Sequence, residues 1–527
     1  LVSNKVLALG THAGNIFVGA DRGVQKFTDG QFESVYASLP PQAVVAFASR
    51  GNDFYAAVNK FVYKYDPNGD RWNREVTLSQ LITALLIDDT GALWLGTEES
   101  GLIKWSPDQE TEVFLPNGPA GNSFADLLFA ADEKLWCASA PLGGNGVYNF
   151  NGTTWSNFTT GNGDIPGDAT VALVEDLNGN VWVGSWGEGV FRFSPQGQID
   201  VFDETDDKLA GITANLSFVV VNSMALDQAG TIWMTNFRAF NGNQLVAVTA
   251  DGQWLYFGAE DGVFSSNPQA IAVDQFNRKW VGTDGGGIYV YDDNRTPADK
   301  SDDVVGSLTG TDGLSSNIIK DLAIDEFDVV WIVTNEGLEF YQNGEIRQQF
   351  GLITNEVNTI EIDPVGNKWV GSSAGVSILD RDEFRWTHHT TDNSPLVSSN
   401  VLSVAFDKKT GDAFVGTSNG LSIFQTPFVE PSEKLEELSL FPNPLMIGAS
   451  NSTASLIIDG LCRNCDVNIY TSSGFLVRKL VSGSKGGRAT WDGRDSDGEL
   501  VPSGIYLAVA AQPDGVAKTG KVAVINE

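Results

Sequence analysis

The sequence predicts an all-β protein, with about ten four-stranded β-propeller blades in two propellers followed by an immunoglobulin-like β-sandwich. Three observations predict this fold class. A unit of about 44 residues repeats along most of the chain. Short runs rich in β-branched and aromatic residues alternate with glycine and turn residues. After residue 438 the repeat stops and a different strand pattern begins.

Each repeat carries an aromatic residue on a short apolar run that meets Gly and then Thr, Ser or Asn, as in LWLGTEESGL at 93–102. The aromatic positions lie 38 to 51 residues apart, in the range of a four-stranded blade. They are Phe17, Tyr55, Trp94, Trp136, Trp182, Trp233, Trp280, Trp331, Trp369 and Phe414. We expect the recurring Trp side chains to be buried and to pack between adjacent blades. The less favoured alternative is that they form a surface on which sugars stack.

An acidic turn precedes most of these aromatic residues, as in IEIDPVGN at 360–367. Asp and Gly favour hairpin turns because the carboxylate bonds backbone amides and glycine adopts positive φ. We therefore assign a structural role to the turn acids. They are Asp89, Asp227, Asp274, Asp325, Asp363 and Asp407.

The repeats predict blades over residues 1–427, a linker at 428–438 and a sandwich of seven strands at 439–527. Ten blades exceed the four to eight of a single ring, which indicates two propellers. The partition stays open between a seven-plus-three split and an interleaved arrangement. Residues 3–24 match the repeat at 399–421, so we expect further blades and a signal peptide to lie upstream of Leu1.

The charge is concentrated on the blades. Of 33 basic and 67 acidic residues, eight of each lie in 439–527, so the net charge of −34 belongs to the rest of the chain. Phosphate contacts need clustered Lys and Arg, and the sequence therefore predicts no nucleic-acid partner. No apolar run is long enough for a transmembrane segment.

The three cysteines predict at most one disulfide. Cys462 and Cys465 lie in GLCRNCDV, where a turn would bring them within bonding distance, whereas Cys137 follows a blade Trp and is expected to be buried. A zinc site at Cys462 and Cys465 would need a second pair of ligands, which the sequence lacks. The acidic run WDGRDSDGE at 491–499 does not have the ligand spacing of a calcium-binding loop and fits a hairpin turn. We predict no metal and no cofactor.

The sequence favours a non-enzymatic protein. It has three His and neither a Gly-x-Ser-x-Gly elbow nor a Cys/His pairing, so we predict no catalytic residue. A glycosidase with two carboxylates in a cleft between propellers stays open as an alternative, because the acidic residues are too numerous to single out a pair.

Two groups of residues carry a family resemblance. The blades resemble the two-component-regulator propeller repeat. Residues 439–527 resemble the C-terminal sorting domain of the Bacteroidota type IX secretion system in the order of four segments, Pro442-Asn443-Pro444, Ser473-Gly474, WDGRDSDGELVPSGIY and Lys521-Val522. Together they resemble the PorZ family. The resemblance implies an extracellular component on the outer-membrane surface, in an attachment complex with the sortase PorU, PorV and PorQ, which binds anionic lipopolysaccharide.

The sandwich is the region where an anionic glycan would meet least repulsion, since its net charge is zero. Its candidate ligand-binding residues are Arg478, Lys479, Arg488 and Arg494. The alternative function is secreted or surface-anchored cargo, whose propellers bind a ligand or glycan and whose sandwich is only an export signal. Retention or removal of 439–527 in the mature protein distinguishes the two.

Overall fold

The computed structural model confirms an all-β chain. It describes residues 3–34, 39–98, 101–107, 111–114, 116–263, 267–382, 384–448, 455–481 and 486–526. The chain forms two compact units, Leu1–Gly118 and Pro119–Glu527. Within the described ranges the helical elements are four 3-10 turns, Thr160–Asn162, Ala259–Asp261, Lys300–Asp302 and Gly310–Asp312.

The first unit, called here the three-blade unit, contains three antiparallel four-stranded sheets. Its strands are β1 (Val6–His12), β2 (Asn15–Ala20), β3 (Gly23–Thr28), β4 (Gln31–Ser34), β5 (Val44–Arg50), β6 (Asp53–Val58), β7 (Phe61–Asp66), β8 (Arg71–Thr77), β9 (Ile82–Ile87), β10 (Leu93–Thr97), β11 (Leu102–Trp105) and β12 (Glu112–Phe114). The first strands of successive sheets lie side by side, β1 against β5 and β5 against β9. This is the arrangement of consecutive propeller blades.

The second unit begins with seven blades, called here the ring. Their strands are β13 (Asp126–Phe129), β14 (Leu135–Ala138), β15 (Val147–Phe150), β16 (Trp155–Phe158), β17 (Thr170–Glu175), β18 (Val181–Gly187), β19 (Val190–Phe193), β20 (Ile199–Phe202), β21 (Val219–Val220), β22 (Met224–Leu226), β23 (Ile232–Thr235), β24 (Leu245–Val248), β25 (Trp254–Phe257), β26 (Pro268–Val273), β27 (Lys279–Thr283), β28 (Ile288–Asp292), β29 (Val304–Leu308), β30 (Ile319–Ile324), β31 (Val330–Thr334), β32 (Gly337–Gln342), β33 (Glu345–Gln349), β34 (Val357–Ile362), β35 (Lys368–Ser372), β36 (Gly375–Leu379), β37 (Trp386–His389), β38 (Val401–Phe406), β39 (Asp412–Thr417) and β40 (Gly420–Gln425).

The ring is closed. Each first strand, from β13 through β17, β22, β26, β30 and β34 to β38, packs against the next, and β38 packs against β13. The amide of Phe124 donates to the carbonyl of Thr417 at 3.1 Å, and Ser403 Oγ donates to the carbonyl of Phe124 at 2.9 Å. In the partition that the repeat period left open, three blades are therefore followed by a closed ring of seven.

One blade departs from the predicted four strands. The seventh ring blade consists of β38, β39 and β40 alone among the described strands. After β40 the Thr426 amide bonds the carbonyl of Gly411, and the Glu430 amide bonds that of Lys408 at 2.9 Å. The chain therefore turns away along the ring toward the sandwich instead of returning as a fourth strand.

The recurring aspartate and tryptophan form one local hydrogen-bonded motif, called here the Asp–Trp turn. Asp363 Oδ1 accepts the amides of Val365 and Asn367, and Oδ2 accepts Trp369 Nε1–H at 3.1 Å. The same Asp-to-indole bond, six residues apart, joins Asp88–Trp94, Asp176–Trp182, Asp227–Trp233, Asp274–Trp280 and Asp325–Trp331. The packing role predicted for the repeated Trp is confirmed in the ring, where Trp136, Trp182, Trp233, Trp280, Trp331 and Trp369 are buried, whereas Trp94 is half-buried. The assignment of Asp89 was wrong, since the preceding Asp88 makes the bonds.

The remaining chain forms the sandwich, with eight strands where seven were predicted. They are β41 (Ser439–Phe441), β42 (Leu445–Ile447), β43 (Leu456–Asp459), β44 (Asp466–Thr471), β45 (Leu476–Val481), β46 (Arg488–Trp491), β47 (Gly504–Ala511) and β48 (Ala517–Asn526). One sheet has the order β41-β43-β46 and the other β42-β48-β47-β44-β45. The extra strand is the short β42, which pairs in parallel with the C-terminal end of β48. Leu456, Ile469 and Trp491 lie in the core between the sheets.

Candidate functional site on the C-terminal sandwich

The sandwich is joined to the ring by an ordered segment, residues 428–438. Val429 in this segment is 6% exposed, and Leu435 is 7% exposed and belongs to the sandwich core. The Gly487 amide donates to the carbonyl of Val429 at 2.8 Å, and the Ser432 amide donates to that of Leu461 at 3.1 Å. The segment therefore packs against the sandwich along its length.

Arg488, one of the four predicted ligand-binding residues, lies at the junction of ring and sandwich. Its guanidinium pairs with Asp459 at 3.0 Å and donates to the carbonyl of Thr410 in the ring. The side chain is 13% exposed. Arg463 makes a second junction contact, to Glu326 of the ring at 2.9 Å. Arg488 thus holds the two bodies together and has little surface left for a ligand.

Arg478 and Arg494 lie together at one end of the sandwich. Arg478 pairs with Asp492 at 2.7 Å, and the same carboxylate oxygen accepts the backbone amide of Arg494. The Arg494 guanidinium donates to the carbonyl of Gly498 at 2.8 Å. The turn itself closes through the Asp495 amide and the carbonyl of Glu499, which confirms the predicted hairpin.

Lys479 lies on a different surface, the outer face of the five-stranded sheet. It is exposed and lies opposite Asn468, whose neighbours along β44 point into the core. Lys521 lies on the same face, exposed between the buried Gly520 and Val522 and opposite Leu507. This pair of lysines was not predicted as a site, although the alternation of buried and exposed residues in KTGKVAVIN could have placed Lys521 outward.

The structure contains a disulfide between Cys462 and Cys465, whose Cα atoms are 5.8 Å apart. Both cysteines are buried, and Asn464 between them has φ of 62°, a left-handed conformation that closes the turn. Cys462 forms an isolated bridge with Ser432 of the joining segment. The disulfide therefore stiffens the loop beside the junction. Cys137 is free and buried.

The centre of the ring holds a cavity of about 450 Å³ lined by five acidic residues and Lys408, and three of these acids are Asp126, Asp321 and Glu361. Asp126 Oδ2 accepts the amide of Leu173 on the next blade at 2.8 Å, and Asp321 Oδ2 accepts the amide of Ile360 at 2.9 Å. Both aspartates thus join adjacent blades. Glu361 faces the cavity, so water reaches it although protein atoms surround it.

These carboxyls hold protons more tightly than usual. Burial raises the pKa of Asp126 to about 7, and burial together with the nearby Asp321 raises the pKa of Glu361 to about 8. Burial also raises the pKa of Asp321. The described residues include no group of three or more His, Cys, Asp or Glu arranged to hold a metal ion.

Comparison with known proteins identifies the fold. No protein-family model matches the chain, and no curated protein matches it in sequence. Among solved structures it is similar to PorZ, an essential surface component of the type IX secretion system of Porphyromonas gingivalis, with 20% identity and a TM-score of 0.64 over 99% of this chain and 81% of that one. The chain has the fold of PorZ.

Two further solved structures are more distant. The extracellular domain of a putative hybrid two-component system from B. thetaiotaomicron gives 16% identity and a TM-score of 0.49, covering 100% of this chain and 73% of that one. Virginiamycin B lyase from Staphylococcus aureus gives 14% identity and a TM-score of 0.45, covering 59% of this chain and 96% of that one.

Across the described part of the chain, no helix is long and apolar enough to cross a membrane.

Proposed function

We propose that this protein is a non-enzymatic component of the type IX secretion attachment complex on the outer surface of the outer membrane. In this role its sandwich binds anionic lipopolysaccharide and supports the sortase that processes secreted cargo. The observation that carries the proposal is a blade array joined to a sorting-type sandwich, with PorZ as the fold match over 99% of the chain. PorU, PorV and PorQ are the partners the resemblance implies.

The packing of the joining segment favours a component over cargo. A removable export signal needs an accessible connection, whereas here Val429 and Leu435 are buried and Arg488 spans the junction. Removing 439–527 would expose these apolar side chains and leave the Thr410 carbonyl without its charged donor. We therefore expect the mature protein to retain the sandwich.

The charge distribution favours the sandwich as the lipopolysaccharide-binding part. The acidic ring repels phosphate groups, whereas the sandwich has a net charge of zero. Arg488 is engaged at the junction, so the contacts we assign to the ligand are Lys479 and Lys521 on the outer face, with Arg478 and Arg494 at the edge. Lysines on an apolar strand surface suit a ligand with phosphate groups and acyl chains.

A double charge reversal tests this assignment. Lys479→Glu combined with Lys521→Glu is expected to weaken binding to purified anionic lipopolysaccharide in a salt-dependent manner. The matched control is Lys5→Glu combined with Lys60→Glu, two exposed lysines of the three-blade unit. Equal binding by both double variants would contradict the assignment of the ligand to the sandwich, while retention of the sandwich is tested separately by mass.

A further inference from the structure

One lysine of the ring lies between two carboxylates in a site that excludes solvent. Lys279 is the first residue of β27, and its Nζ lies 2.6 Å from Asp293 Oδ1 and 3.8 Å from Asp227 Oδ2. The exposed fractions of the Lys279, Asp293 and Asp227 side chains are 0%, 0% and 1%. The Trp233 ring covers Nζ, with its centroid 4.3 Å away. An amine and a carboxyl group are therefore held together where water does not reach them.

One oxygen of the Asp293 carboxyl group lacks a hydrogen-bond partner. Oδ1 accepts Lys279 Nζ and, at 3.2 Å, the amide of Arg295. Oδ2 is buried and has no partner among the described residues. A buried carboxylate oxygen without a partner is costly. In a stable buried ion pair the remaining lone pairs are hydrogen-bonded, so the pair of Lys279 and Asp293 is incomplete as an ion pair.

Asp227 supplies a second carboxylate, which the turn holds in place. Its Oδ1 accepts the amides of Ala229 and Thr231, and its Oδ2 accepts Trp233 Nε1–H at 3.0 Å. Oδ2 is also the atom that faces Lys279 Nζ. A carboxylate placed in this way is a general base for the lysine nitrogen, and such groups often reach hydrogen-bond distance only as the reaction proceeds.

We propose that Lys279 and Asp293 join in an intramolecular isopeptide bond, with Asp227 as the proton carrier. One proton passes from Nζ to the Asp293 carboxyl group, which leaves a neutral amine and a neutral acid. Nζ then forms a bond to Cγ, Asp227 transfers a proton from the nitrogen to the hydroxyl oxygen, and the C–O bond breaks to release water. The three protons of the ammonium group become one on the amide and two in water, so no other reactant is needed.

Proximity and the absence of water favour this condensation. Groups held with their reacting atoms about 3–3.5 Å apart react far faster than free groups, and rotation of the Asp293 carboxyl about χ2 turns its carbon toward Nζ. Exclusion of water opposes the reverse hydrolysis. The product replaces two buried charges by a neutral amide, whose oxygen accepts the Arg295 N–H as Oδ1 does now.

The ring contains a matched lysine that lacks the second carboxyl group. Lys368 is the first residue of β35, pairs with the turn acid Asp325 at 3.0 Å and lies over the tryptophan of the preceding blade. Asp293 lies two residues beyond the strand partner of Lys279. The residue two positions beyond the strand partner of Lys368 is Arg381. We therefore expect a cross-link at Lys279 and none at Lys368.

Mass spectrometry of the denatured protein tests the bond. After allowance for the disulfide, we expect an intact mass lower by one water molecule than the mass calculated from the sequence. Trypsin does not cut after a cross-linked lysine, so the digest should contain residues 279–295 minus one water molecule in place of free 280–295. Chymotrypsin cutting after Trp280 and Tyr289 should leave the two ends of this peptide joined.

Substitutions distinguish this bond from other losses of water. Lys279→Met should abolish the mass deficit, and Lys368→Met, the matched control, should keep it. Asp227→Asn, which retains an oxygen for the Trp233 indole, should lower the cross-linked fraction, and an unchanged fraction would overturn the role of Asp227.

The decisive result comes from the unmodified protein and needs no variant to fold. The full calculated mass, with free 280–295 in the digest, would overturn the proposal. A mass deficit that persists in Lys279→Met would also overturn it, because a succinimide at an aspartate would then account for the lost water.

Discussion

The ring and the sandwich each bury a tryptophan beside a turn and satisfy its indole in different ways. In the ring the indole N–H donates to an aspartate carboxylate, as for Trp369 and Asp363. In the sandwich Trp491 donates to the backbone carbonyl of Arg494 at 2.8 Å. The ring therefore uses carboxylates where the sandwich uses the main chain. The turn aspartates of the ring are therefore structural, and they carry little information about a ligand.

The same difference extends to basic residues. Lys279 and Lys368 of the ring are buried against the turn acids of the preceding blades. Lys479 and Lys521 of the sandwich are exposed. These two lysines of the sandwich are therefore accessible to a charged partner, whereas the two buried lysines of the ring are not, although the ring carries more charge in total.

The largest effect is expected for a buried lysine of the ring. Lys279 Nζ lies 2.6 Å from Asp293, is fully buried and lies over the Trp233 ring. Lys279→Met would leave the Asp293 charge buried without its partner, lowering the free energy of unfolding by about 3–5 kcal/mol. Lys518→Met, which breaks an exposed pair with Glu437, should cost about 0–1 kcal/mol. Equal shifts of the urea unfolding midpoint in Lys279→Met and Lys518→Met would contradict the expected difference between the buried and the exposed pair.

A second pair of variants compares the turns themselves. Asp363→Ala removes the acceptor of two amides and of a buried indole, so we expect a loss of about 2–3 kcal/mol in the free energy of unfolding. Asp495→Ala in the sandwich removes two amide contacts at an exposed turn and should cost about 0.5–1.5 kcal/mol. A costlier Asp495→Ala, measured by thermal unfolding, would reverse the proposed order.

A third variant tests the junction. Arg488→Gln removes the Asp459 ion pair and the charged donor to Thr410, and we expect about 1–2 kcal/mol of lost docking free energy. Limited proteolysis should then cut faster within 428–438. Arg494→Gln is the control because its contacts stay within the sandwich turn. Equal cutting rates for both variants would mean that Arg488 does not hold the junction.

The smallest effect concerns pH. Burial raises the pKa of Glu361 to about 8, above the value near 4.3 of the unfolded chain, so the folded ring binds this proton more tightly. The resulting stability is complete below about pH 4 and is lost as pH rises toward 8. Asp126 and Asp321 strengthen the shift, and Lys408 opposes it.

Glu361→Gln fixes the neutral form and should therefore reduce the fall in melting temperature between about pH 5 and pH 8. The control is Glu336→Gln, at an exposed position of the ring. If both variants follow the unmodified protein across this range, the Glu361 carboxyl does not contribute to the pH dependence of the ring.

The sequence was sufficient for the blades because one local pattern repeats. Asp227 and Trp233 lie six residues apart, and the same spacing recurs in every Asp–Trp turn, in which the aspartate accepts the indole N–H. In the three-blade unit the pattern DDTG offers two acids, and the same six-residue spacing to Trp94 selects Asp88 over Asp89. The three-plus-seven partition depends on β38 meeting β13, and no local pattern encodes this contact between segments 279 residues apart at Phe124 and Ser403.

The candidate site was less predictable from sequence. Residue type alone grouped Arg488 with Arg478, Lys479 and Arg494. Its partners Asp459 and Thr410 lie 29 and 78 residues away in the chain, so its role at the junction follows from tertiary packing. Cys462 and Cys465 were easier to relate, because a turn of three residues brings them together without distant contacts.

The central claim is that the sandwich is a permanent part of the protein. Intact mass of the protein recovered from the surface of its native cells tests it most directly. We predict a mass that includes residues 439–527 and no attached glycan. A mass lacking these residues, with a heterogeneous glycan in their place, would contradict the account and identify the protein as cargo.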